Sequence, residues 1–291
     1  MISTSVLPYG VQLDYPADTA VADLDRDLLS ALSTALRTEG IALLRGFPSD
    51  PAALVALGRR FGLPQRLLAT RAELPADDPL NWAVDVVFRG DLAEADRFDF
   101  VEGAKPLELH TARATAAVQP QLFLMHMANA SEPDADSPDH GQSHFARLDD
   151  ALDHLVAEHG RARADEIVRV LSTSTFEPID SCRAEPVVAA ILTKKDNGRW
   201  KMRVWEGIAD HAARNAPPAL ADAVTAFYAA LNTVRCEVTL TSGDLILLDN
   251  ERVAHGRRGF PAWHPGPDGD RVQSRRHIRN IKVYSEFEVV A

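Results

Sequence analysis

The sequence is short of cysteine, basic charge and long apolar runs, and each shortage excludes a class of protein. Its two cysteines, Cys182 and Cys236, fit no metal or redox spacing, so we expect buried thiols rather than a disulfide. The net charge of −11 argues against non-specific binding to nucleic acid or to an anionic membrane. No run approaches the roughly 18 apolar residues of a membrane span, and the N-terminus lacks signal-peptide features. We therefore expect a cytoplasmic protein.

The composition supports one globular unit. The 291 residues are 46% hydrophobic, and no repeat, low-complexity tract or linker divides them, so we expect a single domain over 1–291. Strands lie between helices without a regular βαβ rhythm or a Gly-rich phosphate loop, which argues against a doubly wound sheet. The sequence instead predicts a mixed α/β fold with a double-stranded β-helix (jelly-roll) core and flanking helices.

Hydrophobic periodicity places the individual elements. It predicts helices at 22–38, 51–61, 145–155, 164–171 and 217–231. It predicts strands at 41–47, 121–127, 187–192, 200–205, 235–240, 245–249 and 276–284. Between two of these strands, Asp196-Asn197-Gly198 is a hairpin turn signal, because Asn and Gly tolerate positive φ. The irregular stretch 65–108 is too long for an ordinary connection and is a candidate lid or substrate loop.

Two distant segments carry the candidate chemistry. One contains His110 within Leu109-His110-Thr111-Ala112, and the other contains His255 near the end of 243–257. A histidine beside an apolar stretch is more often a hydrogen-bonded structural residue than a ligand. His110, however, precedes a run of small residues that leaves room for a bound group. His255 follows a predicted strand, which places it near the mouth of a barrel, where side chains from several strands converge.

With these residues the chain resembles the TauD-like, clavaminate-synthase-like branch of the Fe(II)/2-oxoglutarate-dependent oxygenases. The resemblance covers most of the chain, begins at 39–47 and is strongest over 243–260. The iron motif of that family is H-x-[DE] followed by a distant His. The resemblance therefore implies His110 and His255 as metal ligands, with Ala112 standing where the acidic ligand should be.

The same resemblance implies a site for 2-oxoglutarate. In the family, an Arg on the last strand clamps the far carboxylate of this cosubstrate, a bidentate role that suits a guanidinium group. Arg276 is the best match, and Arg275 and Arg279 remain alternatives because the preceding loop is longer than usual. A hydroxyl in a Gly-x-[ST] context binds the same carboxylate and corresponds to Ser143. The opposing interpretation of this basic run is a solvated edge strand.

The alanine in the triad implies a halogenase. Within the superfamily, replacement of the acid by Ala or Gly is a feature of iron halogenases, in which chloride binds the vacated position. Chloride restores the negative charge and the donor that iron loses with the carboxylate. The resemblance thus implies Fe(II), 2-oxoglutarate, chloride and O2, with Ala112 deciding the chemistry and Thr111 beside the halide. The alternatives are a hydroxylase with an atypical metal site and a non-catalytic 2-oxoglutarate-binding protein.

Two acidic residues near the distal histidine are candidates to replace the missing ligand. Asp249 and Glu251 precede His255 by a few positions. A third ligand must share a face with both imidazoles, whereas these carboxylates are expected across the pleat or beyond the strand end. We therefore do not expect either to bind the metal.

The substrate is inferred from the residues around the predicted site. Trp82, Phe98 and Phe100 could stack on a ring, and Arg113 could meet a phosphate or carboxylate, although loop packing and solubility explain such residues equally well. No carrier-protein docking patch is recognisable. We expect a freestanding small polar metabolite, a nucleotide or an amino acid, and neither a nucleic-acid polymer nor a membrane as partner.

Overall fold

The computed structural model describes residues 10–67, 74–88, 103–130, 141–176, 188–265 and 270–285. Its α-helices are α1 (Arg26–Thr38), α2 (Pro51–Phe61), α3 (Leu148–His159), α4 (Arg161–Thr173), α5 (Ile208–Asn215) and α6 (Pro218–Val234). Its strands are β1 (Val11–Asp14), β2 (Ile41–Arg45), β3 (Leu63–Pro64), β4 (Val84–Val87), β5 (Leu107–His110), β6 (Leu122–Asn129), β7 (Ser143–Arg147), β8 (Thr175–Phe176), β9 (Ala189–Ala190), β10 (Leu192–Lys194), β11 (Trp200–Met202), β12 (Cys236–Val238), β13 (Leu245–Asp249), β14 (Val253–Arg257), β15 (Trp263–Pro265), β16 (Arg271–Gln273) and β17 (His277–Tyr284). Short 3-10 turns occupy Val21–Asp23 and Pro79–Asn81.

Two sheets form the core. The larger has the strand order β1-β2-β13-β6-β17-β3, with β4 also paired to β17, and the smaller has the order β12-β7-β14-β5. Neighbouring strands in both sheets are antiparallel, except that β1 runs parallel to β2. Strands that are distant in sequence therefore become neighbours, which is the arrangement of the predicted double-stranded β-helix.

Side-chain alternation along the strands builds three apolar layers. Met125, Ile246 and Phe145 come from both sheets and share one buried cluster on the inner faces. Leu124 on the outer face of the larger sheet packs with residues of α1 and α2. Ala146 on the outer face of the smaller sheet packs with residues of α3, α4, α5 and α6. Helices thus cover both outer faces, and the space between the sheets is left for the site.

Local sequence signals explain where the helices begin. The side chain of Asp25 caps α1 by accepting a hydrogen bond from the Asp27 amide at 2.8 Å. In α2, Asp50 accepts from the Ala52 amide at 2.9 Å, and Pro51 occupies the first turn, where its missing N–H costs nothing. Both helices lie where periodicity predicts them.

Two predictions of secondary structure need correction. The helix predicted over 145–155 begins only at Leu148, because 143–147 form β7, in which Phe145 points inward and Ala146 points outward. The stretch 65–108 is not irregular throughout, since β4 pairs with β17 and β5 pairs with β14. Its residues 68–73 and 89–102 lie outside the described residues, and its role as a lid stays a prediction.

The structure also bears on the predicted turn, on the cysteines and on the question of a membrane span. The predicted turn at 196–198 joins β10 to β11, and Gly198 has φ +82°. Cys236 is a half-buried thiol on β12, whereas Cys182 lies outside the described residues. Within the part of the chain that the structure describes, no helix is long and apolar enough to span a membrane.

Candidate metal centre and cosubstrate pocket

The ladder between β5 and β14 brings two distant histidines together. His255 and His110 are direct partners in this antiparallel pair, and their ring centroids lie 4.3 Å apart. Phe123 of β6 stacks on His255 with centroids 4.6 Å apart and an interplanar angle of 24°. The histidine pair therefore lies against an aromatic ring of the opposite sheet, between the two sheets.

Both imidazoles are held in the neutral form that binds metal ions. Burial lowers the pKa of His110, opposed by its main-chain hydrogen bond to Glu108 and assisted by the charge of Lys282. Burial also lowers the pKa of His255 well below its usual value, with further lowering from His110 and Lys282. The His110 Nδ1 atom lies 2.9 Å from the Glu108 carbonyl oxygen, which fixes this ring and leaves its Nε2 atom for a ligand.

The pair fits a divalent metal but supplies only part of a ligand set. The Nδ1 atom of His255 is buried with no hydrogen-bond partner among the described residues, so the polar atoms of the pair are incompletely satisfied by the protein alone. The described residues contain no group of three or more His, Cys, Asp or Glu side chains that could hold a metal ion. Within the described residues, the candidate centre therefore consists of two neutral imidazoles without a neighbouring carboxylate.

Ala112 lies in the inner apolar cluster and is held there by an asparagine. Its side chain belongs to the same cluster as Met125 and Phe145. The Asn250 Oδ1 atom accepts a hydrogen bond from the Ala112 amide at 2.7 Å, and Nδ2 donates to the Ala112 carbonyl at 3.0 Å. Nδ2 also donates to the Pro120 carbonyl at 2.8 Å. This fully buried asparagine therefore fixes the backbone at the position that the sequence resemblance assigns to the missing acidic ligand.

The two nearby carboxylates form ion pairs with cationic side chains. Asp249 pairs with Arg252 at 2.7 Å, and Glu251 pairs with Lys195 at 2.8 Å. That neither carboxylate binds the metal stays a prediction, and these ion pairs are compatible with it.

Thr111 contacts the main chain of Val204. Its hydroxyl lies 3.3 Å from the Val204 carbonyl oxygen and 3.4 Å from the Val204 amide nitrogen, and it is buried. Its role beside a halide stays a prediction. The neighbouring Arg113 has an exposed side chain and a left-handed φ of +54°.

Arg276 is a buried cation next to a glycine. It is 6% exposed, its Nη2 atom has no hydrogen-bond partner in the described chain, and its Cζ atom lies 5.6 Å from the centre of the Phe260 ring. Burial lowers its pKa to about 9, and the charge of Arg257 adds to the shift. A Cβ atom on Gly141, where φ is +64°, would stand 3.4 Å from the guanidinium carbon. Glycine thus leaves space beside a guanidinium that is ready for an anion.

Ser143 follows this glycine on the same strand. It is buried, and its ladder partner is Arg257. Phe145, two residues later, points into the inner cluster, so Ser143 shares that inner face. The predicted pairing of Ser143 with Arg276 on one carboxylate is compatible with this placement and stays a prediction.

The alternatives to Arg276 lie elsewhere. The side chain of Arg275 is exposed. Arg279 donates through Nε to the Asp85 carboxylate at 2.7 Å and through Nη1 to the Ser49 carbonyl at 2.5 Å. It therefore holds β4 and the start of α2 to the outer face of β17. Neither arginine accompanies Arg276 on the inner face.

Trp82, one of the aromatic residues predicted to bind substrate, is not brought to the site. Trp82 packs with the cluster on the outer face of the larger sheet, and the guanidinium of Arg59 lies 5.3 Å from its ring centre. A sheet thus separates Trp82 from the histidine pair, which corrects that prediction. Phe98 and Phe100 lie outside the described residues.

Three charged residues near the site were not singled out from the sequence. Burial raises the pKa of Glu206 to about 7. A main-chain hydrogen bond to Glu108 opposes this rise, and the negative charge of the Glu108 carboxylate adds to it. Burial lowers the pKa of Arg257 to about 10, against the charge of Glu206. Lys282 lies on β17, and burial lowers its pKa to about 8, with a further contribution from Arg113. Strand alternation from Arg276 predicts an inward Lys282, whereas nothing local marks Glu206.

Fold and site together define a double-stranded β-helix protein with a two-histidine centre and a buried arginine on its inner face. Residues 9–281 match the family described as "Taurine catabolism dioxygenase TauD, TfdA family". The chain belongs to this family. The resemblance inferred from the sequence is therefore confirmed at the level of the family.

Solved structures share the fold at low sequence identity. Asparagine oxygenase (AsnO) is 20% identical with a TM-score of 0.65, over 91% of this chain and 80% of that one. The non-heme iron oxygenase OrfP, in complex with Fe and alpha-ketoglutaric acid, is 16% identical with a TM-score of 0.61, over 91% and 82%. PvcB, an Fe, alpha-ketoglutarate dependent oxygenase from an isonitrile synthetic pathway, is 17% identical with a TM-score of 0.61, over 96% and 88%. No curated protein matches the chain.

Proposed function

We propose that this protein is an Fe(II)- and 2-oxoglutarate-dependent halogenase that chlorinates an unactivated C–H bond of a freestanding small polar metabolite in natural product biosynthesis. One observation carries the proposal. In a member of the TauD/TfdA family, the paired His110 and His255 are accompanied on the inner face by the methyl group of Ala112, and the described residues offer no third acidic or imidazole ligand.

The two histidines would hold the iron. Both are neutral because burial disfavours the imidazolium form, and a neutral imidazole is an established ligand for ferrous iron. When bound, iron together with 2-oxoglutarate and oxygen supplies the oxidising power needed to remove a hydrogen atom from carbon. The stacked Phe123 and the surrounding apolar cluster keep bulk water from the imidazoles.

Arg276 would anchor the far carboxylate of 2-oxoglutarate. Its guanidinium is buried, and Gly141 keeps a side chain away from it. A guanidinium buried without a matching carboxylate is unfavourable, and a dicarboxylate ligand removes that cost through charge-assisted hydrogen bonds. The hydroxyl of Ser143, on the same inner face, would add a hydrogen bond to this carboxylate.

Compared with an acidic residue at the same position, Ala112 has a smaller side chain and no negative charge. A carboxylate at this position would give the metal a negative oxygen donor, whereas a methyl group gives neither charge nor donor. A chloride ion supplies both and is small enough for the space of a missing carboxylate. Asn250 keeps the Ala112 backbone in place, so the fold fixes the position of this small side chain.

The substrate is proposed to be a free amino acid or nucleotide. Among the similar structures, asparagine oxygenase is in complex with 2S,3S-3-hydroxyasparagine and OrfP with (3S)-hydroxy-L-Arg, which supports amino acids for this chain. Charges of both signs act on inner-face residues, since the charge of Glu206 acts on Arg257 and that of Arg113 acts on Lys282. Such a set suits a ligand that carries an amine and a carboxylate.

A hydroxylase with an atypical metal site is the second candidate. It is favoured by the same structures, because the molecules bound in them are hydroxylated amino acids. In that case, water or a substrate group would complete the ligands of the two-histidine iron. The two functions differ in one observable, the requirement for a halide.

The test is an anaerobic reconstitution with Fe(II) and 2-oxoglutarate, followed by oxygen, with and without chloride. Mass spectrometry is used to follow a panel of amino acids and nucleotides. We expect a product that gains chlorine in place of hydrogen, and a bromide-for-chloride exchange should shift its mass accordingly. Oxygenated product in the same yield without halide would support the hydroxylase instead.

A further inference from the structure

Lys282 is a cation placed beside the histidine pair, and the described residues provide no carboxylate for it. It lies two residues beyond Asn280 and six beyond Arg276 on β17, so all three side chains share the inner face. Its Nζ atom lies 5.8 Å from the centre of the Phe123 ring, and Phe123 stacks on His255. The ammonium group and an imidazole of the candidate metal centre thus lie close to the same aromatic ring.

The described residues offer the ammonium group few hydrogen-bond acceptors. An ammonium has three N–H donors, and the acceptor recorded for it in the described chain is the Asn280 Oδ1 atom at 3.3 Å. The other nearby charges are also unfavourable, because Arg113 is a cation and its charge acts on Lys282. Removing an ammonium from water without a counter-ion is unfavourable. A half-buried lysine in such surroundings therefore favours a bound anion.

We infer that Lys282, assisted by Asn280, forms a binding site for a small monovalent anion next to His110 and His255. The proposal rests on the proposed function for the identity of this anion, which we take to be the chloride that completes the centre beside Ala112. The carboxylate of a substrate has the same charge and is the other possible source. Glu237, Glu251 and Asp249 are engaged with other cations, so they do not compete for Lys282.

Lys282 also explains how the centre tolerates the loss of its acidic ligand. A carboxylate at position 112 would supply the centre with its own negative charge. With alanine there, the Lys282 ammonium attracts an anion from solution into the space beside the imidazoles, and opposite charges at such short range in a low-dielectric site interact strongly. The lysine therefore supplies a reason for halide binding that the metal alone does not.

The experiment uses metal-free protein and inorganic chloride. Broadening of the 35Cl NMR signal reports chloride binding without any turnover. We expect the wild type to broaden the signal, Lys282→Met to weaken binding by about tenfold or more, and Lys282→Arg to retain much of it. The matched control is Lys194→Met, because Lys194 also lies over an aromatic ring, Trp200 at 5.7 Å, but is exposed. Equal chloride binding by Lys282→Met and the wild type would overturn the inference.

A second arm distinguishes the two sources of the anion. Binding of amino acids to metal-free protein is measured by calorimetry at fixed ionic strength, with wild type and Lys282→Met. A Lys282-dependent affinity for chloride supports the halide, and a Lys282-dependent affinity for amino acids alone supports the substrate carboxylate. If neither ligand depends on Lys282, the site does not exist.

A third measurement uses the wild type, so it does not depend on whether a variant folds. Crystals of the wild type soaked in bromide should show anomalous density near the Nζ atom of Lys282, and its absence there would contradict the inference. The proposed function fails separately, if the iron-loaded enzyme makes no halogenated product while metal-free protein still binds chloride through Lys282. The inference fails alone if chlorination occurs and chloride binding is independent of this residue.

Discussion

Replacing Asn250 with alanine should destabilise the protein and loosen the backbone at position 112. The Asn250 side chain is fully buried and makes three hydrogen bonds, two to the Ala112 main chain and one to the Pro120 carbonyl. The substitution leaves the Ala112 amide and two carbonyls buried without these partners. Each such group costs about 1–3 kcal/mol, so the free energy of unfolding should fall by about 3–5 kcal/mol, allowing for partial relaxation.

Urea denaturation followed by circular dichroism measures this loss. The matched control is Asn232→Ala, because the Asn232 side chain donates to the Tyr228 carbonyl at 2.9 Å from the last turns of α6 and is only half-buried. We expect the control to lose about 1 kcal/mol or less. A loss of under about 1 kcal/mol for Asn250→Ala would refute the argument that this residue fixes the site.

Three further predictions test the site from different sides. Ala112→Asp should lose chlorination by about a hundredfold or more and favour oxygenated product in mass spectrometry, because its carboxylate takes the place of the halide; undiminished chlorination would contradict this. Arg276→Met should raise the Kd of 2-oxoglutarate in calorimetry by about a hundredfold, whereas Arg279→Met should leave it unchanged because Arg279 binds Asp85 on the other face; similar losses in both would rule out the assignment. Glu206 has a folded-state pKa of about 7, raised from 4.5, so the stability linked to its protonation is present below pH 4.5 and lost as the pH rises to about 7. Relative to Glu206→Gln, the wild type should therefore lose on the order of 2 kcal/mol between about pH 5 and pH 8 in urea denaturation, and a constant difference would contradict the shift.

The sequence predicts the core because its strands are strongly patterned. The run around Met125 and the run around Ile246 are apolar on both faces, since one face meets the opposite sheet and the other meets helices. The helix predicted over 145–155 failed at its start for a related reason. Phe145 and Ala146 are apolar and directly precede a true helix, so periodicity alone cannot separate a buried strand from the first helical turn.

The candidate site was predictable to a different degree at each residue. His110 and His255 were found through the family motif, and the ladder between their strands explains why such distant residues meet. Asn250 was missed because its contacts are with main-chain atoms of Ala112 and Pro120, which no side-chain pattern records. Long-range pairing of this kind depends on the folded chain and has no local sequence signal.

Lys282 shows how far strand alternation can extend a motif. Once Arg276 is assigned to the inner face, a period of two places Ile278, Asn280 and Lys282 on that face and Arg279 on the other. The structure agrees, since Ile278 joins the inner cluster while Arg279 pairs with Asp85 outside. The alternation therefore predicts a lysine on the inner face of β17, near the proposed metal centre. An anion bound there, as inferred above, would supply the negative charge that Ala112 cannot.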